Sequence, residues 1–194
     1  MENKLRSFET FAGCGGLALG LKASGFHLEL ANEISLNASQ TFAQNLIGDI
    51  SKVIKVEDVV NEKLNGPVVL NGDFIELVDK FEKDPELSSR FSNLDILSGG
   101  PPCQGFSMAG KRKADVAKNN LPFEFIRFVG LIRPKSVLIE NVVGILSPFL
   151  SEGKKATASK QIVLALSNIG YRVATIKLNS AVVGVAENRV RVFF

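Results

Sequence analysis

The sequence predicts a doubly wound α/β fold built on a mostly parallel sheet. Three observations carry this. Short apolar runs alternate with runs of helical period along nearly the whole chain. A glycine cluster, Gly13-Cys14-Gly15-Gly16, separates the first apolar run from the first helical one. The remaining clusters of acidic, cysteine and arginine residues also follow apolar runs, and the carboxyl ends of strands are where such sheets collect ligands.

Taken in order, Ser7–Phe11 reads as a short buried strand and Leu17–Ser24 as a helix. Phe26–Asn32 is strand-like and Leu36–Leu46 helical. Val68–Leu70 is a strand, followed by a helix over Phe74–Phe81, and Leu94–Ser98 is the next strand. Phe123–Ile132 is a helix that stops ahead of Pro134, because the residue before a proline is driven out of helical geometry. Ser136–Ile139 is a strand, Ser159–Asn168 a helix closed near Gly170, Tyr171–Leu178 a strand, and Val190–Phe194 begins one more. Two stretches lack a period. Gly48–Gly66 reads as an insertion or helical excursion, and Lys111–Asn120, polar and basic, as a mobile loop.

A chain of 194 residues with 45% hydrophobic content can bury one proper core. Its net charge of +3 permits a polyanionic partner without demanding one. The two cysteines, Cys14 and Cys103, and the single histidine, His27, have no metal-ligand spacing, so no metal is expected. Met1–Ser7 is polar, and no apolar run approaches membrane-spanning length. Free thiols in a reducing cytoplasm are the expected setting.

Gly13, Gly15 and Ala18 match the relaxed G-x-G-x-x-A fingerprint, which needs a tight turn and bare backbone close to a ligand. Glu33, 20 residues beyond Gly13, ends the second strand, where a carboxylate accepts both hydroxyls of a ribose. Asp73 ends the third strand and is placed to accept from an adenine amino group. Asp49 competes for that role, but only Asp73 follows a recognisable strand, Val68-Val69-Leu70. The plainer alternative is that these acids only cap helices.

Cys103 lies in Gly99-Gly100-Pro101-Pro102-Cys103-Gln104-Gly105-Phe106-Ser107, after the fourth strand. Two glycines and two prolines make a shaped turn that presents a thiol, whereas most cysteines of this kind are buried packing groups. Cys14 is read as structural or incidental.

These motifs resemble those of the DNA (cytosine-5) methyltransferases of bacterial restriction–modification systems, over essentially the whole chain. Phe11–Gly16 resembles the family's cofactor loop, and Gly100–Ser107 its Pro-Cys-Gln catalytic motif. Asn120-Leu121 resembles the motif whose leucine touches the cofactor, and Glu140-Asn141-Val142 the second catalytic motif. Glu187-Asn188-Arg189-Val190-Arg191 resembles a Gln-x-Arg-x-Arg motif, with Glu187 in place of Gln and Ala186 in place of Pro. The resemblance implies a Rossmann-like S-adenosylmethionine-dependent methyltransferase fold, cut off in its last strand. It implies an S-adenosyl-L-methionine pocket from Phe11, Gly13, Gly15, Gly16, Leu17, Glu33, Ile34, Asp73, Phe74 and Leu121. Residues 1–194 would be an incomplete cofactor-binding and catalytic domain, without the target-recognition region and the closing motifs.

The chemistry so implied is methylation of cytosine C5 in double-stranded DNA, on a base turned out of the helix. Cys103 would add as thiolate to C6, and Glu140, protonated in a dry pocket, would serve N3. Arg191 would contact O2 of the base and Arg189 the loop or a phosphate. Lys111-Arg112-Lys113 reads either as a phosphate grip or as a solvated loop. Val190–Phe194 would lie between two other strands, and a strand cut short there would leave unpaired backbone and exposed apolar surface, inviting association. Three alternatives stay open: a cofactor-binding chain inactive without a second polypeptide, a nucleotide-dependent oxidoreductase with a redox cysteine, and an RNA substrate. The absence of any Cys-x-x-Cys pair weighs against the oxidoreductase.

Overall fold

The structure is a computed structural model, and it describes residues 4–60, 64, 66–102, 121–151 and 154–194. The chain divides into two compact units, Met1–Gly100 with Phe128–Leu138, and Pro101–Arg127 with Ile139–Phe194.

The first unit carries β1 (Leu5–Thr10), α1 (Gly16–Ala23), β2 (Phe26–Glu33), α2 (Leu36–Phe42), β3 (Val53–Lys55), β4 (Val68–Asn71), α3 (Phe74–Lys83), α4 (Pro85–Arg90) and β5 (Ile96–Gly99). All pairings here are parallel: β1 with β2 and β5, β2 with β4, and β3 with β4. β1 alternates as a strand buried on both faces must. Phe8 points into an aromatic cluster with Phe81, Phe91 and Phe128, ring centroids 6.3, 6.1 and 5.5 Å away. The other face of the sheet, at Ala31 and Val69, packs against Ala12, Ala18, Phe42 and Ala43. α3 shows how sequence sets a helix. Asp73 caps its first turn through Ile75 N–H and Glu76 N–H, and Phe74, Leu77, Val78 and Phe81 form the buried stripe.

The second unit follows from α5 (Leu121–Ile132) and β6 (Ser136–Val142), both of which begin in one unit and end in the other. It adds a β7 (Pro148–Ser151) and β8 (Lys154–Thr157) hairpin, α6 (Ala158–Asn168), β9 (Ile176–Asn179) and β10 (Val190–Phe193). β10 is antiparallel to both β6 and β9. The strands follow the order β3-β4-β2-β1-β5-β6-β10-β9, one mixed, mostly parallel eight-stranded sheet.

The doubly wound expectation holds, with corrections in detail. In the stretch Gly48–Gly66, the described residues 48–60 form neither a loose insertion nor an α-helix. Between short 3₁₀ turns it contributes β3, paired in register Val53 to Val69, with Val56 and Val59 buried. Three residues are too few for a strand period to show in sequence. Tyr171–Leu178 yields a strand only from Ile176, where pairing with the four-residue β10 begins. α4 and the β7–β8 hairpin were not foreseen; α4 is announced by Asp84 as cap and Pro85 at its first position. Val190–Phe193 does lie between two strands, but its backbone is paired on both sides, with Val192 and Phe194 buried. Among the described residues, exposed apolar side chains of this unit include Leu164, Ile176, Val182, Val183 and Val185.

Candidate cofactor pocket and catalytic residues

In the first unit the sheet brings most of the expected pocket residues together. β1 ends at Thr10, and Phe11 turns out of it with φ of 53°, a left-handed conformation uncommon for a bulky residue. The turn is pinned where Ala12 N–H donates to the Asn32 carbonyl at 3.0 Å. Gly13 N–H then donates to Glu33 Oε2 at 2.8 Å, and Ser35 N–H to Glu33 Oε1 at 2.9 Å. Each carboxylate oxygen holds one backbone donor and keeps a lone pair for a ligand hydroxyl. Two vicinal hydroxyls, as on a ribose, match that geometry.

Glu33 and the Asp73 turn are joined through backbone. Gly72 N–H donates to the Glu33 carbonyl at 3.1 Å, and Asn71 Nδ2 donates to the carbonyls of Glu33 and Ile34, each at 3.1 Å. Asn32 Nδ2 donates to the carbonyls of Leu70 and Gly72 at 3.0 and 3.1 Å. Asp73 therefore stands beside Glu33, at the ends of paired strands. Its Oδ1 caps α3 through Ile75 and Glu76 at 2.8 and 3.2 Å. Asp49 is exposed, and its Oδ1 accepts from Ser51 N–H and O–H at 2.9 and 2.7 Å, bonds that hold its carboxyl below the usual range. It makes no bond to the strand ends that carry Glu33 and Asp73 among those found. Phe11 and Phe74 lie with ring centroids 4.6 Å apart, forming an aromatic wall. Ile34 is 68% exposed, apolar surface left open next to Glu33.

The glycines divide. A side chain on Gly13 or Gly16 would meet open space, so backbone is bare there. On Gly15, with φ of 93°, a Cβ would lie 2.4 Å from Leu46 Cδ1 and 2.9 Å from Phe42 Cδ2. Gly15 is thus required by packing against protein, whatever approaches its backbone. Leu17 is half-buried in α1, and Cys14 is exposed with a free thiol rather than part of the core.

One residue escaped the sequence reading. Glu9, inside the strand read as simply buried, is 2% exposed, and its Oε2 has no hydrogen-bond partner among the described residues. Burial pushes its carboxyl up from 4.5 to about 8. The signal available was a lone carboxylate in an otherwise buried run four residues ahead of Gly13.

In the second unit, Glu140 on β6 and Arg191 on β10 are brought together. Arg191 Nε lies 2.9 Å from Glu140 Oε1, and Arg191 Nη1 donates to the Val190 carbonyl at 2.8 Å. Arg189 is exposed and 3.9 Å from Glu187. Asn141, buried, donates from Nδ2 to the Pro101 carbonyl at 2.9 Å, two residues before Cys103. Leu121 is half-buried at the start of α5. Cys103, Asn120 and Lys111-Arg112-Lys113 lie outside the described residues. Among the described residues no group of side chains is set to hold a metal, and no helix is long and apolar enough to cross a membrane.

Comparison with known proteins gives these placements a family. The family of C-5 cytosine-specific DNA methylases matches residues 5–194. Type II methyltransferase M.DdeI of Desulfomicrobium norvegicum is 38% identical over 96% of this chain and 39% of its own length. Type II methyltransferase M.HindV of Haemophilus influenzae is 30% identical over 96% of this chain and 51% of its own. The chain thus spans between two-fifths and one-half of these relatives. The crystal structure of S. pombe Dnmt2 methyltransferase matches with a TM-score of 0.62 at 19% identity, covering 98% of this chain and 50% of that one, a likeness of fold alone. The glycine loop with its acidic partner and the Glu140–Arg191 pair thus belong to a chain matched along almost its entire length, and this chain is a member of the C-5 cytosine-specific DNA methylase family.

Proposed function

We propose that this chain is the S-adenosylmethionine-binding and catalytic part of an enzyme that methylates cytosine C5 in double-stranded DNA, in the bacterial cytoplasm. The observation that carries the reading is the ion pair of Arg191 with Glu140 at 2.9 Å on neighbouring antiparallel strands, in a family defined by cytosine methylation. Glu33 would hold the ribose hydroxyls, Asp73 the adenine amino group, and Phe11, Phe74, Leu17 and Ile34 the apolar parts. Open space over Gly13 and Gly16, and the unpartnered Glu9 oxygen, suit a ligand that presses on backbone and carries positive charge. S-adenosylmethionine, when bound, supplies the methyl group as a sulfonium alkyl.

The rest is done by side chains of this chain. Cytosine C5 is a weak nucleophile. The Cys103 thiolate forms a bond to C6, and the ring electrons move so that C5 becomes electron-rich. Glu140, a carboxylate in its pair with Arg191, holds N3 once that pair opens, and the proton that relieves the charge built up as sulfur adds reaches N3 from solvent. Arg191 exchanges its bond to Glu140 for one to O2 of the base, and Arg189, exposed and loosely paired with Glu187 at 3.9 Å, takes a phosphate. Loss of the C5 proton then expels Cys103. The test is DNA carrying 5-fluorocytosine, in which the last step is blocked. A covalent adduct on Cys103 is expected by mass spectrometry; an adduct on Cys14, or none from enzyme that methylates ordinary DNA, refutes the assignment.

A second reading has its own support in exposed apolar side chains among the described residues of the second unit. In it, the chain binds cofactor but methylates only with a second polypeptide bearing the recognition region, and Val182, Val183 and Val185 offer apolar surface for one. Methyl transfer from labelled cofactor, with and without such a polypeptide, separates the two readings.

A further inference from the structure

Asn71 is not among the groups assigned to the cofactor above, yet it sits where two walls of that pocket meet. It closes β4 and is the last rung on both sides of the strand, opposite Glu33 on β2 and Lys55 on β3. Val69, two residues earlier, belongs to the apolar layer with Phe42 and Ala43. Side chains two apart on a strand share a face, so Asn71 is directed toward α2 as well. An apolar residue would continue the pattern of the strand. The amide instead meets Ser39, fully buried on α2, with Nδ2 3.3 Å from its Oγ.

The same Nδ2 lies 3.1 Å from the carbonyls of both Glu33 and Ile34. It thereby carries the β2–β4 connection one residue past the end of the strand ladder. Three donors are within reach of the Glu33 carbonyl: Gly72 N–H at 3.1 Å, Asn71 Nδ2 at 3.1 Å and Ser39 Oγ at 3.3 Å. The tie is reciprocal. Asn32, on β2, sends its own amide across to the Leu70 and Gly72 carbonyls, on either side of Asn71. The ends of β2 and β4 and the first turns of α2 are thus locked by side-chain amides where backbone pairing stops.

What Asn71 holds is the backbone of Glu33, whose carboxylate accepts from Gly13 and Ser35, and of Ile34, whose exposed side chain borders it. Asp73 stands two residues further along the chain. We propose, on the reading that the Gly13–Glu33 pocket holds S-adenosylmethionine, that Asn71 is a positioning residue for the cofactor. It fixes the spacing between Glu33 at the ribose and Asp73 at the adenine. Through the backbone of Glu33 it also fixes the direction of the carboxylate. Two vicinal hydroxyls need both carboxylate oxygens in place together, so a small drift of that backbone costs both bonds at once. Asn71 therefore acts on affinity through Glu33, and its effect exists only while the Glu33 carboxylate is there.

A double-mutant cycle read by calorimetry, with S-adenosylhomocysteine titrated into the chain, tests that dependence. Asn71→Leu keeps the size of the side chain and removes the amide. It should weaken binding about tenfold, as should Glu33→Ala, the scale of a lost hydrogen bond to a charged group. In the double variant the loss should stay near about tenfold, not the roughly hundredfold that two independent losses give. Urea denaturation of the same proteins checks that each is folded at the titration temperature. Unchanged affinity in Asn71→Leu, or the full product of the two losses in the double variant, overturns the inference. Asn71→Asp, of the same shape but with no donor, is the second variant and should behave as Asn71→Leu does. If both unfold, the amide holds the fold rather than the pocket, and the inference is overturned as well. If the wild-type chain binds and Glu33→Ala weakens it, the pocket stands even where the role of Asn71 falls. If the wild-type chain does not bind, pocket and inference fall together.

Discussion

Glu9 makes a prediction about the ligand-free chain that needs no cofactor. Its folded-state carboxyl is raised from 4.5 to about 8, so between those values the folded chain holds a proton that the unfolded chain has lost. Stability must therefore be complete below about pH 4.5 and fall as pH rises toward 8. At about 1.4 kcal/mol per unit, the full loss is on the order of 5 kcal/mol above pH 8, and about 3 kcal/mol of it is already incurred at pH 7. Against a typical total of about 5–15 kcal/mol this is a large fraction. Glu9→Gln keeps the shape and removes the ionisation. Urea denaturation of both proteins at pH 5, 7 and 8.5 should show similar stabilities at pH 5 and a gap that widens to several kcal/mol in favour of the variant. Asp95, held low by Lys135 and the Arg6 N–H, stays ionised through this window and leaves the comparison undisturbed. Two parallel profiles would show that Glu9 is not buried as an unpaired acid, and would refute the reasoning.

The two loop glycines should separate in the same assay. Gly15→Ala combines a left-handed backbone with a collision against Leu46 and Phe42, and should cost about 2–4 kcal/mol, whereas Gly13→Ala meets open space and should cost about 1 kcal/mol. Glu33→Ala should weaken S-adenosylmethionine binding by about 1–3 kcal/mol, read by calorimetry, and Asp73→Ala should weaken it where Asp49→Ala does not. Asn141→Ala leaves the Pro101 carbonyl without its buried donor. It should destabilise by about 1–3 kcal/mol and change the alkylation rate of Cys103 relative to exposed Cys14, followed by mass spectrometry.

The geometry of the proposed pocket was legible where its parts lie at fixed offsets along the chain. A strand, a glycine turn and a carboxylate at the next strand's end are local patterns, and the Gly13–Glu33 hydrogen bond at 2.8 Å follows once the two strands pair in parallel. The preference for Asp73 over Asp49 likewise rests on local pattern, a strand present before one and missing before the other. The capping role and the ligand role of these acids are not exclusive, since Asp73 caps α3 through Oδ1 alone. What stayed hidden was short or dependent on pairing: β3 with three residues, β9 limited by the length of β10, and the β7–β8 hairpin.

By itself, then, the amino-acid order determined the alternation of strand and helix, the parallel sheet and the residues worth suspecting, because periodicity and turn chemistry act over a few neighbours. Tertiary structure alone decided which of those residues meet. Arg191 and Glu140 are 51 positions apart and become an ion pair only because β10 runs antiparallel beside β6. Gly15 is a packing glycine only because Leu46 and Phe42 return to the loop. The state of Glu9 was beyond any local rule. Whether a carboxylate is hydrated, paired or alone depends on what the folded chain places around it, and here β2 and β5 flank it with no cation among the described residues to offset its burial.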